Sequence, residues 1–247
     1  MKQILQLYSS EKNSPIGDLI VKAGSFFIGT PYVSHTLETE PEQLVIKLRE
    51  VDCNTYAEYV LAISRTIKSD NPSFEKFAQE LQNMRYHKGV IDGYTSRIHY
   101  FSDWIFENSK KNLVKDISEE IAKTPYPLQI NFMSTHPESY IQLKDSALIP
   151  LIAKQEKEIS SRKMFYIPEE KLPEVEYLLK DGDIVGITTR IKGLDILHVG
   201  ILVRKENRIH LMHASSVLEK VVVSEETLEE YLLNSKPATG IMVARPL

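Results

Sequence analysis

The hydrophobic period changes once along this 247-residue chain, and that change limits the fold more than any other feature. Up to Ile159 apolar residues recur mainly at three- and four-residue spacing, the period of half-buried helices. Beyond Asp181-Gly182-Asp183 they gather in short β-branched runs separated by polar turns, the pattern of strands. Helices early and antiparallel strands late predict an α+β fold.

The first predicted helix runs from Ile16 to Ile28, with Leu19, Ile20, Ala23, Phe26 and Phe27 on one face. Pro15 suits its first turn and Ser14 its cap. Gly29-Thr30-Pro31 ends it, and Tyr32-Val33 is extended. Thr36 to Gln43 reads as a loop, and Leu44 to Leu48 as a strand or short buried turn. Asp52 caps a second helix whose stripe is Tyr56, Val60, Ile63 and Ile67. Ser69 to Ser73 turns into a third, Phe74 to Met84.

Gly93 to Trp104 is dense in aromatics and reads as a strand-to-helix passage. Its Arg97, His99, Asp103 and Trp104 also suit a wall that grips a polar ligand or a sugar ring. Lys110 to Glu120 reads as a solvated face or loop, Asn131 to Pro137 as a strand entering a turn, with His136 structural or exposed. Leu148 to Ile159 is helical and Tyr166-Ile167-Pro168 extended. Strands follow at Ile184–Thr188, Leu197–Val203, Arg208–His213, Val221–Val223 and Ile241–Ala244, with a helix at Glu225–Leu233.

A formal net charge of −4 and a pI near 6.0 give no basic surface for a nucleic acid or an anionic membrane. No apolar run reaches the roughly 20 residues of a membrane span. Met1 to Tyr8 is too short and interrupted for a signal-peptide core. The expected compartment is the periplasm or cell envelope if a leader has been removed, and otherwise the cytoplasm. No obligate protein partner is indicated.

The single cysteine, Cys53, excludes an internal disulfide and falls on the helical stripe in its first turn. Taken alone, it reads better as a small buried hydrophobe than as a nucleophile, since free cysteine is among the most buried residue types. A thiol at a helix start is expected to ionise more readily, because unpaired amides favour the thiolate.

A nucleophilic thiol needs a base and a group to orient that base. Of the seven histidines, His198 and His213 lie on adjacent predicted strands. Paired as a hairpin, these would place both imidazoles on one sheet face, toward the Cys53 helix. Gly200 beside His198 would let a ligand or another chain approach closely. His210 and His213 point to opposite sides of a strand, which argues against zinc, and no metal or organic cofactor is expected.

These residues fall in an order that resembles NlpC-type papain-like peptidoglycan cysteine hydrolases. Gly29-Thr30-Pro31-Tyr32, Asp52-Cys53, Asp181-Gly182-Asp183-Ile184, Asp195-Ile196-Leu197-His198-Val199-Gly200-Ile201 and His213-Ala214-Ser215 carry the likeness. Asn54 stands where small members commonly have Ser, and Tyr32 and Cys53 are further apart than usual. The long segment between the Cys53 helix and the sheet, with Ser96 to Tyr100 and Asn131 to Ser134, together with Thr36-Leu37-Glu38 upstream of Cys53, resembles the N-acetylmuramoyl-L-alanine amidase-like branch.

The resemblance implies one catalytic domain over residues 1–247 of papain-like NlpC type. A helical part carrying Cys53 would pack on a C-terminal antiparallel sheet, with an insertion at residues 86–180 shaping the cleft. It implies Cys53 as nucleophile, His198 as base, His213 as its orienting partner and Tyr32 at the oxyanion. Arg97, His99, Asp103, Trp104, Glu38 and Asp195 would recognise substrate. Peptidoglycan fragments (muramyl peptides) are the expected substrate, cut between N-acetylmuramic acid and L-alanine. The alternatives are the bond between γ-D-glutamate and the diamino acid, or a non-catalytic peptidoglycan-binding module.

Overall fold

A computed structural model describes residues 1–247. Its helices are α1 (Lys2–Leu7), α2 (Ile16–Ser25), α3 (Cys53–Lys68), α4 (Phe74–Arg85), α5 (Phe101–Lys110), α6 (Ser118–Ala122), α7 (Phe132–Thr135), α8 (Ile149–Ser160), α9 (Leu172–Val175) and α10 (Leu228–Asn234). The strands are β1 (Val114–Asp116), β2 (Thr124–Tyr126), β3 (Met164–Pro168), β4 (Ile184–Thr189), β5 (Ile196–Lys205), β6 (Arg208–Ser215), β7 (Lys220–Thr227) and β8 (Ala238–Pro246). They form one antiparallel sheet in the order β2-β3-β8-β4-β5-β6-β7, with β1 beside the end of β8. The expected α+β class is therefore what the chain adopts.

Alternation along the strands builds two cores. Val199, Ile201 and Val203 of β5, with Met212 of β6, face α3 and its Tyr56, Val60 and Ile63. Leu202, Ile209 and Leu211 face the other way, onto Leu228 and Leu232 of α10. The β5–β6 turn is Glu206-Asn207, both at positive φ (47° and 68°), a two-residue geometry that matches the strand twist. Near its start β5 carries a bulge: Ile187 pairs His198 while Thr188 pairs Ile196. Leu197 is thus an extra residue, and such bulges re-aim neighbouring side chains.

Four local expectations fail for identifiable reasons. Asn131-Phe132-Met133 is not a strand but the entry to α7, held by Asn131 and Phe132 amides donating to the Gly193 carbonyl at 3.2 and 3.1 Å. Leu44 to Leu48 forms no ladder, because side chains satisfy its backbone: Lys47 N donates to the Tyr59 hydroxyl at 2.9 Å and Val45 O accepts from Arg85 at 2.7 Å. Lys110 to Glu120 is not simply solvated. It contains β1, whose Val114 packs into the core while Lys115 points outward. Gly93 to Trp104 contains no strand, only a 3₁₀ turn at Tyr94–Ser96 and then α5.

Candidate active site

Cys53 is the first residue of α3, and the cap that starts this helix is complete. Asp52 Oδ1 accepts from Thr55 N at 2.8 Å, and Thr55 Oγ1 accepts from Asp52 N at 2.9 Å. This reciprocal arrangement fixes the first turn. Thr36 Oγ1 donates to the other Asp52 oxygen at 3.2 Å, tying the upstream loop to the same turn. Tyr32 reaches the site through two short pairings. Its amide donates to Glu219 O at 2.9 Å, and the Val33 amide donates to Val51 O at 2.9 Å.

The thiol does not behave as its helix position suggests. Burial and the adjacent Asp52 carboxylate push Cys53 up to about 12, against backbone amides of Val199, Asn54 and Cys53 itself that act in the opposite sense. Desolvation of a small anion outweighs the helix start here. Burial, then the Cys53 and Asp52 charges, likewise push the Tyr32 phenol up to about 12.

His198 Nε2 and His213 Nδ1 are 2.6 Å apart, with the two rings perpendicular at 89°. Burial and the neighbouring His213 bring His198 down to about 3, and burial brings His213 down to about 4. Thiol and imidazoles are thus all neutral at pH 7. The shared sheet face is the one expected, but it is not the face on which the body of α3 packs. By strand alternation both imidazoles lie with Leu202 and Leu211, against Tyr231 of α10. Cys53, at the tip of α3, shares a cavity wall with His198 near the start of β5. Gly200 serves packing rather than ligand access, since a Cβ there would strike the Leu211 side chain.

That cavity, of about 300 Å³, also takes in Glu38, Arg97, His99, Trp104 and Asp195. Most of these are already engaged. Arg97 donates to Glu38 at 2.7 Å and to Leu37 O at 3.2 Å. His99 Nε2 lies 3.0 Å from Tyr94 O. Asp195 accepts from the Ser102 amide at 2.7 Å and the Ile196 amide at 2.8 Å, pinning the start of α5 to the start of β5. Asp103 lies outside the cavity, paired to Arg162 at 2.5 Å and to His87 at 3.3 Å. Tyr32 is not among the lining residues.

The family model for AmiA-like, N-acetylmuramoyl-L-alanine amidase-like proteins matches residues 22–241. This chain belongs to the AmiA-like family. The crystal structure of an N-acetylmuramoyl-L-alanine amidase from Bacteroides uniformis is similar at 41% identity and a TM-score of 0.90, over 94% of this chain and 98% of that one. A Bacteroides fragilis crystal structure described as a candidate xylanase is also 41% identical, with a TM-score of 0.87 over 91% of this chain and 99% of that one. A Legionella pneumophila protein shares the fold at 23% identity and a TM-score of 0.75, over 100% of this chain and 94% of that one. No curated protein matches the sequence.

Two features of this AmiA-like site escape a reading of the sequence. Glu58 and Arg85 line the cavity as a buried ion pair at 2.7 Å, with Arg85 only 1% exposed. A carboxylate inside the otherwise apolar Tyr56-to-Ile63 stretch is the signal that could have found it. Tyr231 is separated from both histidines along the chain and carries no such signal. His87, Asp103 and Glu107 also converge, with potential ligand atoms within 4.8 Å of one another. Arg162 already occupies Asp103, so the set is a charge network with its cation built in.

Proposed function

We propose that the chain is a cysteine amidase that hydrolyses the amide between N-acetylmuramic acid and L-alanine in peptidoglycan fragments, on a papain-like NlpC-type domain spanning residues 1–247. The observation that carries this reading is that His198, paired perpendicular to His213 at 2.6 Å, lines the same cavity as a capped, helix-starting Cys53. Family membership supplies the class of bond. The γ-D-glutamyl bond of the same peptides is the nearest alternative.

His213 engages Nε2 of His198, leaving Nδ1 as the nitrogen available to the thiol. For His198 to act as base, Nε2–H donates to His213 Nδ1 and Nδ1 accepts the thiol proton. Because thiol and imidazole both start neutral, proton transfer accompanies attack on the lactyl carbonyl. The new C–S bond forms as the carbonyl electrons move to oxygen. The Cys53 amide and the Tyr32 hydroxyl stabilise that oxyanion. Its collapse expels the L-alanine amine, which takes the proton from His198. Water, deprotonated by His198, then releases the lactyl acid and restores the thiol.

Arg97, His99, Trp104, Glu38 and Asp195 act from the cavity wall, the first four toward the sugar and Asp195 by anchoring the His198 strand. Asp103 supports that wall from behind. Residues 86–180 supply much of the wall and so shape the cleft. Glycoside hydrolysis, which needs two free carboxyl groups across the scissile bond, fits less well. Glu38, Glu58, Asp52 and Asp195 are each held by a cation or by backbone amides.

The test is Cys53→Ala on a defined muramyl tripeptide. Loss of tripeptide release with an unchanged unfolding midpoint supports the assignment. Retained release contradicts it.

A further inference from the structure

Neither imidazole of the His198–His213 pair is fixed by its hydrogen bond alone. One Nε2···Nδ1 contact leaves each ring free to swing about its Cβ–Cγ bond, and water that reaches the contact competes for both nitrogens. The structure supplies a third ring at this point. Tyr231 meets His213 edge-on, with centroids 5.6 Å apart and planes at 86°, and lies near-parallel to His198 at 6.4 Å and 26°.

The helix that carries Tyr231 is short but firmly seated. Leu228 and Leu232 are each 1% exposed in the second core. The Thr227–Glu230 cap closes reciprocally, with Thr227 N donating to Glu230 at 2.8 Å and Glu230 N donating to Thr227 Oγ1 at 3.3 Å. The side chains that anchor α10 are therefore not the one laid over the histidines.

We propose that Tyr231 is a positioning residue, whose ring shields the His198–His213 hydrogen bond from water and holds the two imidazole planes so that His198 Nδ1 addresses Cys53. The inference rests on the roles given to His198 and His213 above. A hydrogen bond screened from water is electrostatically stronger, so the shield and the orientation reinforce each other. The low ionisation of both imidazoles, brought about by burial, agrees with a ring that shelters their contact on one side.

Two readouts test it. In steady-state assays on a muramyl tripeptide, Tyr231→Ala lowers kcat on the order of ten- to a hundred-fold, as misorientation does, with KM little changed. The acid limb of its pH profile rises toward the ordinary imidazole value of about 6.5. Tyr231→Phe restores near-normal kcat, because the ring and not the hydroxyl acts. Tyr231→Leu, which removes the ring but fills part of its space, serves if the alanine variant does not fold.

The second readout is an NMR titration of the two imidazoles in a Cys53→Ala background. It needs no substrate, so it reads the shield whichever amide the enzyme cuts. Both rings titrate at higher pH once Tyr231 is replaced by Ala or Leu. Unchanged titration, unchanged kcat and acid limb in Tyr231→Ala, or a loss in Tyr231→Phe equal to that in Tyr231→Ala would each overturn the proposal.

Discussion

Asp52 shows how much one side chain sets at this site. It caps α3, holds Thr36 and, by its charge, raises the thiol it precedes. Asp52→Asn keeps most of the capping geometry and removes the charge. Alkylation of Cys53 by iodoacetamide is then expected to reach half-maximal rate at lower pH than in the parent. An unshifted profile contradicts the electrostatic account. At the same scale, His198→Ala should cost more activity than His213→Ala, because proton transfer is harder to replace than orientation. Equal kcat/KM losses would merge the two roles. Since His198 must be neutral to take the thiol proton, and burial holds it near 3 and His213 near 4, the acid limb of kcat/KM should lie at or below about 4. A limb near 6.5 would mean solvent-exposed imidazoles. The location of the cysteine was legible in the sequence, from Asp52, Cys53 and the stripe after them. The direction of its ionisation was not, because it depends on how far burial and the Asp52 charge outweigh the amides of Val199, Asn54 and Cys53.

At the scale of elements, α3 joins the site to the cavity floor. Cys53 and Glu58 lie on one helix and both line the cavity, and Glu58 holds Arg85, whose other arm holds the Val45 carbonyl. Glu58→Ala leaves the guanidinium buried without its partner and should cost about 3–5 kcal/mol of stability, seen as a lower urea midpoint. A midpoint within experimental scatter of the parent would show that Arg85 finds another partner. The strands that carry the histidines were readable because alternation runs the length of β5 and β6. Their facing relative to α3 was not, since the bulge at Leu197 and the position of α10 follow from tertiary packing. The failed strand at Asn131 has the same kind of cause. Phe132 and Met133 are too short an apolar pair to tell a strand from a helical turn, and the Gly193 carbonyl that decides between them is distant in sequence.

Over the whole molecule, His99, His198 and His213 are all kept neutral by burial, at about 3, 3 and 4. Unfolded, each binds a proton near 6.5, so the unfolded state gains protons first as pH falls. Their contribution to stability is complete above that value and is lost progressively toward pH 3. Glu58, Asp116 and Asp195, raised by burial, act in the opposite sense. The urea midpoint should therefore fall between pH 7 and pH 5, with a shallower fall in His99→Gln. A midpoint that rises toward pH 5 would put the carboxylates in control. The α+β class was visible in the change of period along the chain. The cavity was not, because its wall is assembled from the loop at Glu38, the α3 tip, α5 and the start of β5.

Mass spectrometry of the products from N-acetylmuramoyl-L-alanyl-γ-D-glutamyl-diamino acid tests the bond cut and the thiol that cuts it together. The parent enzyme is expected to give free N-acetylmuramic acid and an intact tripeptide, and Cys53→Ala neither. Release of the diamino acid from an intact muramyl dipeptide, or cleavage by the Cys53→Ala protein, would contradict the assignment.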